Sequence, residues 1–212
     1  RPKVTSKEAS YLTVEQVRVL LAAAAGSRYQ PVFRLLVNTG LRRGEALALR
    51  WTDVDLVNHL LRVRGTLARL DGDLVVTDTK TAKSNRVIHM TPTTESILRT
   101  AKASQSADRL RAGSIWTQTG YVFTTETGQP CDPRNALRAL KSAASKAEMP
   151  GIGLHTLRHS AASVILSGGV PLKVVSEILG HASIAITGDI YGHVSPDVSR
   201  DALDGLSVAL DA

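Results

Sequence analysis

"TGLRRGEALALRWTDVDLVNHLLRVRGTLA" spans residues 39–68, and two periods meet inside it. From Leu41 to about Leu49 the apolar residues recur at helical spacing, behind Gly40, which permits a tight turn. Past Trp51 the pattern becomes short and β-branched. The later stretches "DLVVTDTK" and "RVIHM" continue it, and "DGD" and "KSN" supply turns. A small three-stranded antiparallel sheet with hairpins is expected from this part of the chain.

On both sides of that sheet the chain reads as helix. "YLTVEQVRVLLAAA" places Thr13 and Gln16 in capping-box spacing ahead of a helix from about 14 to 25. A second helix starts at Pro31 and stops at "NTG". After Met90, capped starts at Thr91 and Asp132 open two further helices, separated by a loop over 113–131 rich in Gly, Thr and Gln. "HTLRHSAASVILS" ends at Gly168-Gly169, "PLKVVSEIL" stops at Gly180, and Ser183 is placed to cap a short helix. The fold class expected is α+β: one mainly helical domain over 13–194 with a small sheet. Residues 1–12, with the polar "RPKVTSKEAS", read as a linker, and 195–212 as an amphipathic tail helix.

Composition narrows the partners. A hydrophobic fraction of 43% with only 4% aromatics describes an aliphatic, alanine-rich core. No apolar run approaches the roughly 18 residues of a membrane span, and no cleavable leader pattern opens the chain. The lone Cys131 excludes an internal disulfide and fits a reducing cytoplasm. The net charge of +7 is unevenly spread: four aspartates against Arg200 make the tail −3, leaving +10 for the rest. A basic body with an acidic tail fits a polyanion, nucleic acid before membrane.

Four segments carry residues poorly suited to a core. In "TGLRRGE", Arg42 stands at a helix mouth and Glu45 lies three residues on, close enough to orient its guanidinium or to form an ordinary surface pair. In "TDTKTAKSNRVIHM", Lys80, Lys83 and Arg86 surround a hairpin turn, where lysines are usually just solvated. "HTLRHS" puts His155, Arg158 and His159 on one helix face. A zinc site is disfavoured there: Thr156 stands where a metalloprotease carries its glutamate, and Arg158 would sit beside the ion. "LGHASIAITGDIYGHV" sets His181 at a helix stop and brackets Tyr191 with Gly188 and Gly192, an odd setting for a core tyrosine.

In this order and spacing, "TGLRRGE", "TKT", "HTLRH" and "LGH" followed by a tyrosine resemble the catalytic domain of the tyrosine recombinase (phage integrase) family. The resemblance covers nearly the whole chain. It implies catalytic roles for Arg42, Lys80, His155, Arg158, His181 and Tyr191, with Glu45 as acidic support. His159 is read as a structural residue behind them. Arg43, Lys83 and Arg86 are expected to contact the DNA backbone. The resemblance also implies an N-terminal DNA-binding region before residue 1, and a homotetramer on two duplexes that is monomeric without DNA. The tail would dock in trans. Double-stranded attachment sites of phage or mobile-element DNA are the implied substrate, in a bacterial host's cytoplasm. No metal or other cofactor is implied. Two alternatives share the fold: type IB topoisomerase-like relaxation, and a DNA-binding module without catalysis.

Overall fold

The computed structural model describes residues 11–78, 85–181 and 183–191. Lys80, Lys83, most of the expected linker and the tail helix 195–212 lie outside the described residues. Helix α1 (Val14–Ala23) begins as its sequence dictates. The Thr13 hydroxyl accepts from the Gln16 N–H, and the Gln16 side chain accepts from the Thr13 N–H at 2.9 Å. Helix α2 (Gln30–Thr39) ends at Gly40, whose φ of +64° is a left-handed conformation that costs glycine little. Helix α3 (Arg43–Ala48) is shorter than the sequence pattern suggested. Arg42 is extended and serves as its N-cap residue.

Strands β1 (Val54–Asp55), β2 (Leu60–Val63) and β5 (Arg86–His89) form an antiparallel sheet in the order β1-β2-β5. Leu61 opposes Ile88, and Val63 opposes Arg86. Strands β3 (Gly65–Leu70) and β4 (Asp73–Asp78) form a separate two-stranded ribbon rather than joining that sheet. The reason lies in α3. A Cβ added to Gly44 would stand 2.5 Å from Thr66 Cγ2 and 2.9 Å from the Leu67 carbonyl oxygen, so β3 lies directly against the helix backbone. Following α3 draws β3 away from β2 at Arg64.

Helices α4 (Pro92–Ala112), α5 (Pro133–Lys146), α6 (Leu154–Ser167), α7 (Leu172–Leu179) and α8 (Ile184–Tyr191) complete the described fold. Thr91 and Asp132 cap α4 and α5, and the Ser183 hydroxyl accepts from the Ala185 N–H at the start of α8. Phe33, Leu36, Leu47, Leu61, Leu98 and Leu157 are fully buried in one core shared by the helices and the sheet. Burying a side chain of this size contributes about 1.5–3 kcal/mol. A smaller cluster of Ala162, Val175 and Leu179 fixes α7 on α6. This second cluster holds the end of α7 over the turn at Gly40: a Cβ on Gly40 would meet Leu179 Cδ2 at 2.5 Å.

Candidate active site

The last turn of α7 is the hub. Helix C-termini leave carbonyls without partners inside the helix and carry partial negative charge. Here three successive carbonyls each accept from a different guanidinium. Ile178 O takes Arg86 Nε at 2.9 Å, Leu179 O takes Arg158 Nη2 at 2.9 Å, and Gly180 O takes Arg42 Nη2 at 2.9 Å. Arg158, on α6 and only 4% exposed, also donates Nη1 to Gly40 O at 2.7 Å. The turn closing α2, the end of α7 and the two expected catalytic arginines are therefore one assembly.

Glu45 is the second anchor. It is 1% exposed on α3, and its Oε1 accepts from Arg42 Nη1 at 2.7 Å while Oε2 accepts from the Arg42 backbone N–H at 2.8 Å. Arg86 donates to the same two oxygens at 3.2 and 2.9 Å. Burial alone would raise the Glu45 pKa, but hydrogen bonds and charge from Arg86, with the bonds from Arg42, hold it below the ordinary carboxylate value. The placement of Arg86 thus differs from the expected backbone contact. Its side chain is only 8% exposed and braces Glu45 and α7, because β5 delivers it into the interior.

The histidines occupy a strongly positive setting. His155 is exposed on the first turn of α6. Partial desolvation, then Arg158, Arg43 and Arg42, hold its pKa below the usual imidazole range. His159, half-buried one turn on, is lowered by desolvation, His155 and Arg158. His181 follows the α7 stop, and desolvation, with Arg158 and Arg42 next, pushes it down to about 4. Its Nδ1 lies 2.7 Å from the hydroxyl of Thr187, a fully buried residue on α8. Thr187 sits one turn before Tyr191, the last residue of α8, and the sequence reading missed it. The i, i+4 spacing to Tyr191 was the available signal.

Acid should expose these histidines. Between about 4 for folded His181 and 6.5 for the free imidazole, the unfolded chain binds the proton and the folded chain does not. Stability therefore rises with pH across that window and is lost as the pH falls through it, with Glu45 adding to the loss at its acid end. Thermal melts from neutral to about pH 4.5 should show a falling midpoint. The slope should be shallower in His181→Gln; an unchanged slope would place the acid-labile groups elsewhere.

Chemically, converging guanidiniums and neutral imidazoles suit an oxyanion better than a cation. Among the described residues, no cluster of His, Cys, Asp or Glu has the makings of a metal site. No described helix is long and apolar enough to cross a membrane.

The arrangement has relatives. The model of the phage integrase family matches residues 10–197, and the chain belongs to that family. It is 35% identical over 209 residues to a XerC-like tyrosine recombinase of Caldanaerobacter subterraneus subsp. tengcongensis, covering 91% of this chain and 52% of that protein. An integrase of Streptomyces ambofaciens is 32% identical, with 92% and 53% covered. The chain thus spans about half the length of these curated relatives. Among solved structures, the Tn1549 transposon integrase in complex with a circular intermediate DNA superposes with a TM-score of 0.80 at 20% identity, covering 97% of this chain and 68% of that one. The XerA recombinase gives 0.72 at 23% identity, with 94% and 65% covered. Both share the fold.

Proposed function

We propose that this domain cleaves and rejoins DNA strands through a 3′-phosphotyrosine, as the catalytic half of a site-specific recombinase. One observation carries the reading: Arg42 and Arg158 are locked together by neighbouring carbonyls of α7, beside a neutral His181 whose Nδ1 partner lies on the helix that ends at Tyr191. Tyr191 attacks the scissile phosphorus, and its phenolic proton passes to His155. The P–O bond to the 5′-oxygen breaks, and Lys80 protonates that oxygen as it leaves. Arg42 and Arg158 donate to the non-bridging oxygens, where charge builds. His181 donates through Nε2–H, which in a neutral ring requires Nδ1 to accept from the Thr187 hydroxyl. The phosphotyrosine ester stores the bond energy, so religation needs neither metal nor nucleotide.

Duplex attachment sites of phage or mobile-element DNA are the proposed substrate, with Arg43 and Lys83 on the backbone. We further propose a homotetramer on two duplexes, monomeric without DNA, docked in trans by residues 195–212, and a site of action in the bacterial cytoplasm. The Tn1549 relative was solved on DNA, which supports the substrate class. The test is covalent trapping: incubation with nicked duplexes should yield a protein–DNA adduct on a denaturing gel, unaffected by EDTA. No adduct would leave a binding module, and relaxation of supercoils without exchange would favour the topoisomerase alternative.

Lys80 can be separated from its neighbour Lys83. A general acid matters when the leaving group is an alkoxide; a thiolate, with a thiol pKa near 8.5, departs unaided. Replacing the bridging 5′-oxygen by sulfur should restore cleavage to Lys80→Ala and leave Arg42→Ala slow. Lys83→Ala should show only a salt-dependent loss of binding. Sulfur rescue of Lys83→Ala instead would shift the acid by three residues.

A further inference from the structure

We propose that Arg86 is a positioning residue for Arg42, acting through Glu45 and the C-terminus of α7; the proposal rests on the strand-cleavage reading above. The two guanidiniums divide one carboxylate. Oε1 of Glu45 holds Arg42 Nη1 and Arg86 Nη1, and Oε2 holds the Arg42 backbone N–H and Arg86 Nη2. Without Arg86 this carboxylate, 1% exposed, would be held by one guanidinium and one N–H of the same residue, Arg42, and would move with it. With two, the plane of the carboxylate is fixed, and so is the direction in which Arg42 leaves it.

Arg86 also fixes the other end of Arg42. Its Nε holds Ile178 O, two residues before the Gly180 carbonyl that accepts from Arg42. Its guanidinium lies close against Gly180 as well: a Cβ there would come within 2.7 Å of Nη1 and 3.0 Å of Cζ. Gly180 has a φ of +67°, so the absence of a side chain serves both the helix stop and this close approach. His181 comes next in the chain. Arg86 is itself anchored on β5, paired with Val63 of β2. A rigid sheet thus sets both supports of Arg42, while the Arg86 side chain stays 8% exposed against 35% for Arg42. Lysine cannot replace it: an ammonium keeps the charge but lacks the planar fork that spans two carboxylate oxygens and a carbonyl.

The test uses the full chain in single-turnover cleavage of a trapping duplex, with either an ordinary phosphate or a methylphosphonate at the scissile position. Methylphosphonate replaces a charged non-bridging oxygen with methyl, so less charge builds up and a misplaced Arg42 matters less. Arg86→Lys should slow cleavage of the phosphodiester by roughly tenfold or more, within the range of couplings between contacting residues. The deficit should shrink on methylphosphonate, as it should for Arg42→Ala. The double variant Arg42→Ala/Arg86→Lys should be no slower than Arg42→Ala. Equal losses on both substrates, or additive losses in the double variant, would reduce Arg86 to a structural brace and overturn the proposal. Should Arg86→Lys lose its folding transition, Glu45→Gln cuts the same link from the other side and must show the same substrate dependence. A wild type that forms no adduct removes the reaction and this role together; an adduct with equal losses removes only the role.

Discussion

Tyr191→Phe is expected to bind duplex DNA as the wild type does and to form no covalent adduct. The substitution removes only the phenolic oxygen, the proposed nucleophile, and keeps the ring. Desolvation first, with the charge of Arg158 among the further causes, lowers the pKa values of His155, His159 and His181, which suit proton transfer, and Cys131 is buried with its thiol pushed up to about 12, chiefly by desolvation. The loss should therefore be complete on a denaturing gel. Affinity measured at one fixed salt concentration should stay within about twofold, because binding is set by backbone charge. An adduct formed by Tyr191→Phe would assign the nucleophile to another residue. Unchanged adduct chemistry with weakened binding would make Tyr191 a DNA contact.

Local relations in this chain are legible in its sequence. Thr13–Gln16, Thr91, Asp132 and Ser183 announce helix starts because a cap and its N–H lie within three residues of each other. The Arg42–Glu45 contact is legible for the same reason, as is the shared face of His155, Arg158 and His159. What the sequence hides is convergence from afar. Arg42 meets Gly180 across 138 residues, Arg158 meets Gly40 across 118, and Arg86 meets Ile178 across 92. No spacing rule reports that three arginines end on three successive carbonyls. The division of the strands into a sheet and a ribbon is hidden likewise. It depends on Gly44 letting β3 touch α3, a tertiary contact that overrides the strand pattern. The setting of Arg86 is hidden too, since an arginine flanking a hairpin reads as a DNA-backbone contact until β5 is seen to bring it to Glu45.

Arg42→Ala and Arg158→Ala should both slow cleavage by at least about a hundredfold, yet differ in what they do to the fold. The rate loss follows from the chemistry proposed for them, since a preorganised donor to a developing oxyanion contributes roughly 3–4 kcal/mol. Stability should separate the two. Arg158 is 4% exposed, and without it the buried carbonyls of Gly40 and Leu179 lose their donors. An unsatisfied buried polar group costs about 1–3 kcal/mol, and each kcal/mol lowers the melting midpoint of a chain this size by roughly 2–4 °C. A drop of several degrees is expected. Arg42 is more exposed, and when it is lost Glu45 keeps Arg86 on both oxygens; only Gly180 O gives up its donor. Its midpoint should move less, because partly exposed ion pairs contribute little. Single-turnover rates taken well below both midpoints, alongside thermal melts, check the pair. Equal midpoints would mean that Arg158 is not the clamp between α2 and α7. Rates near wild type in either variant would remove that arginine from the reaction.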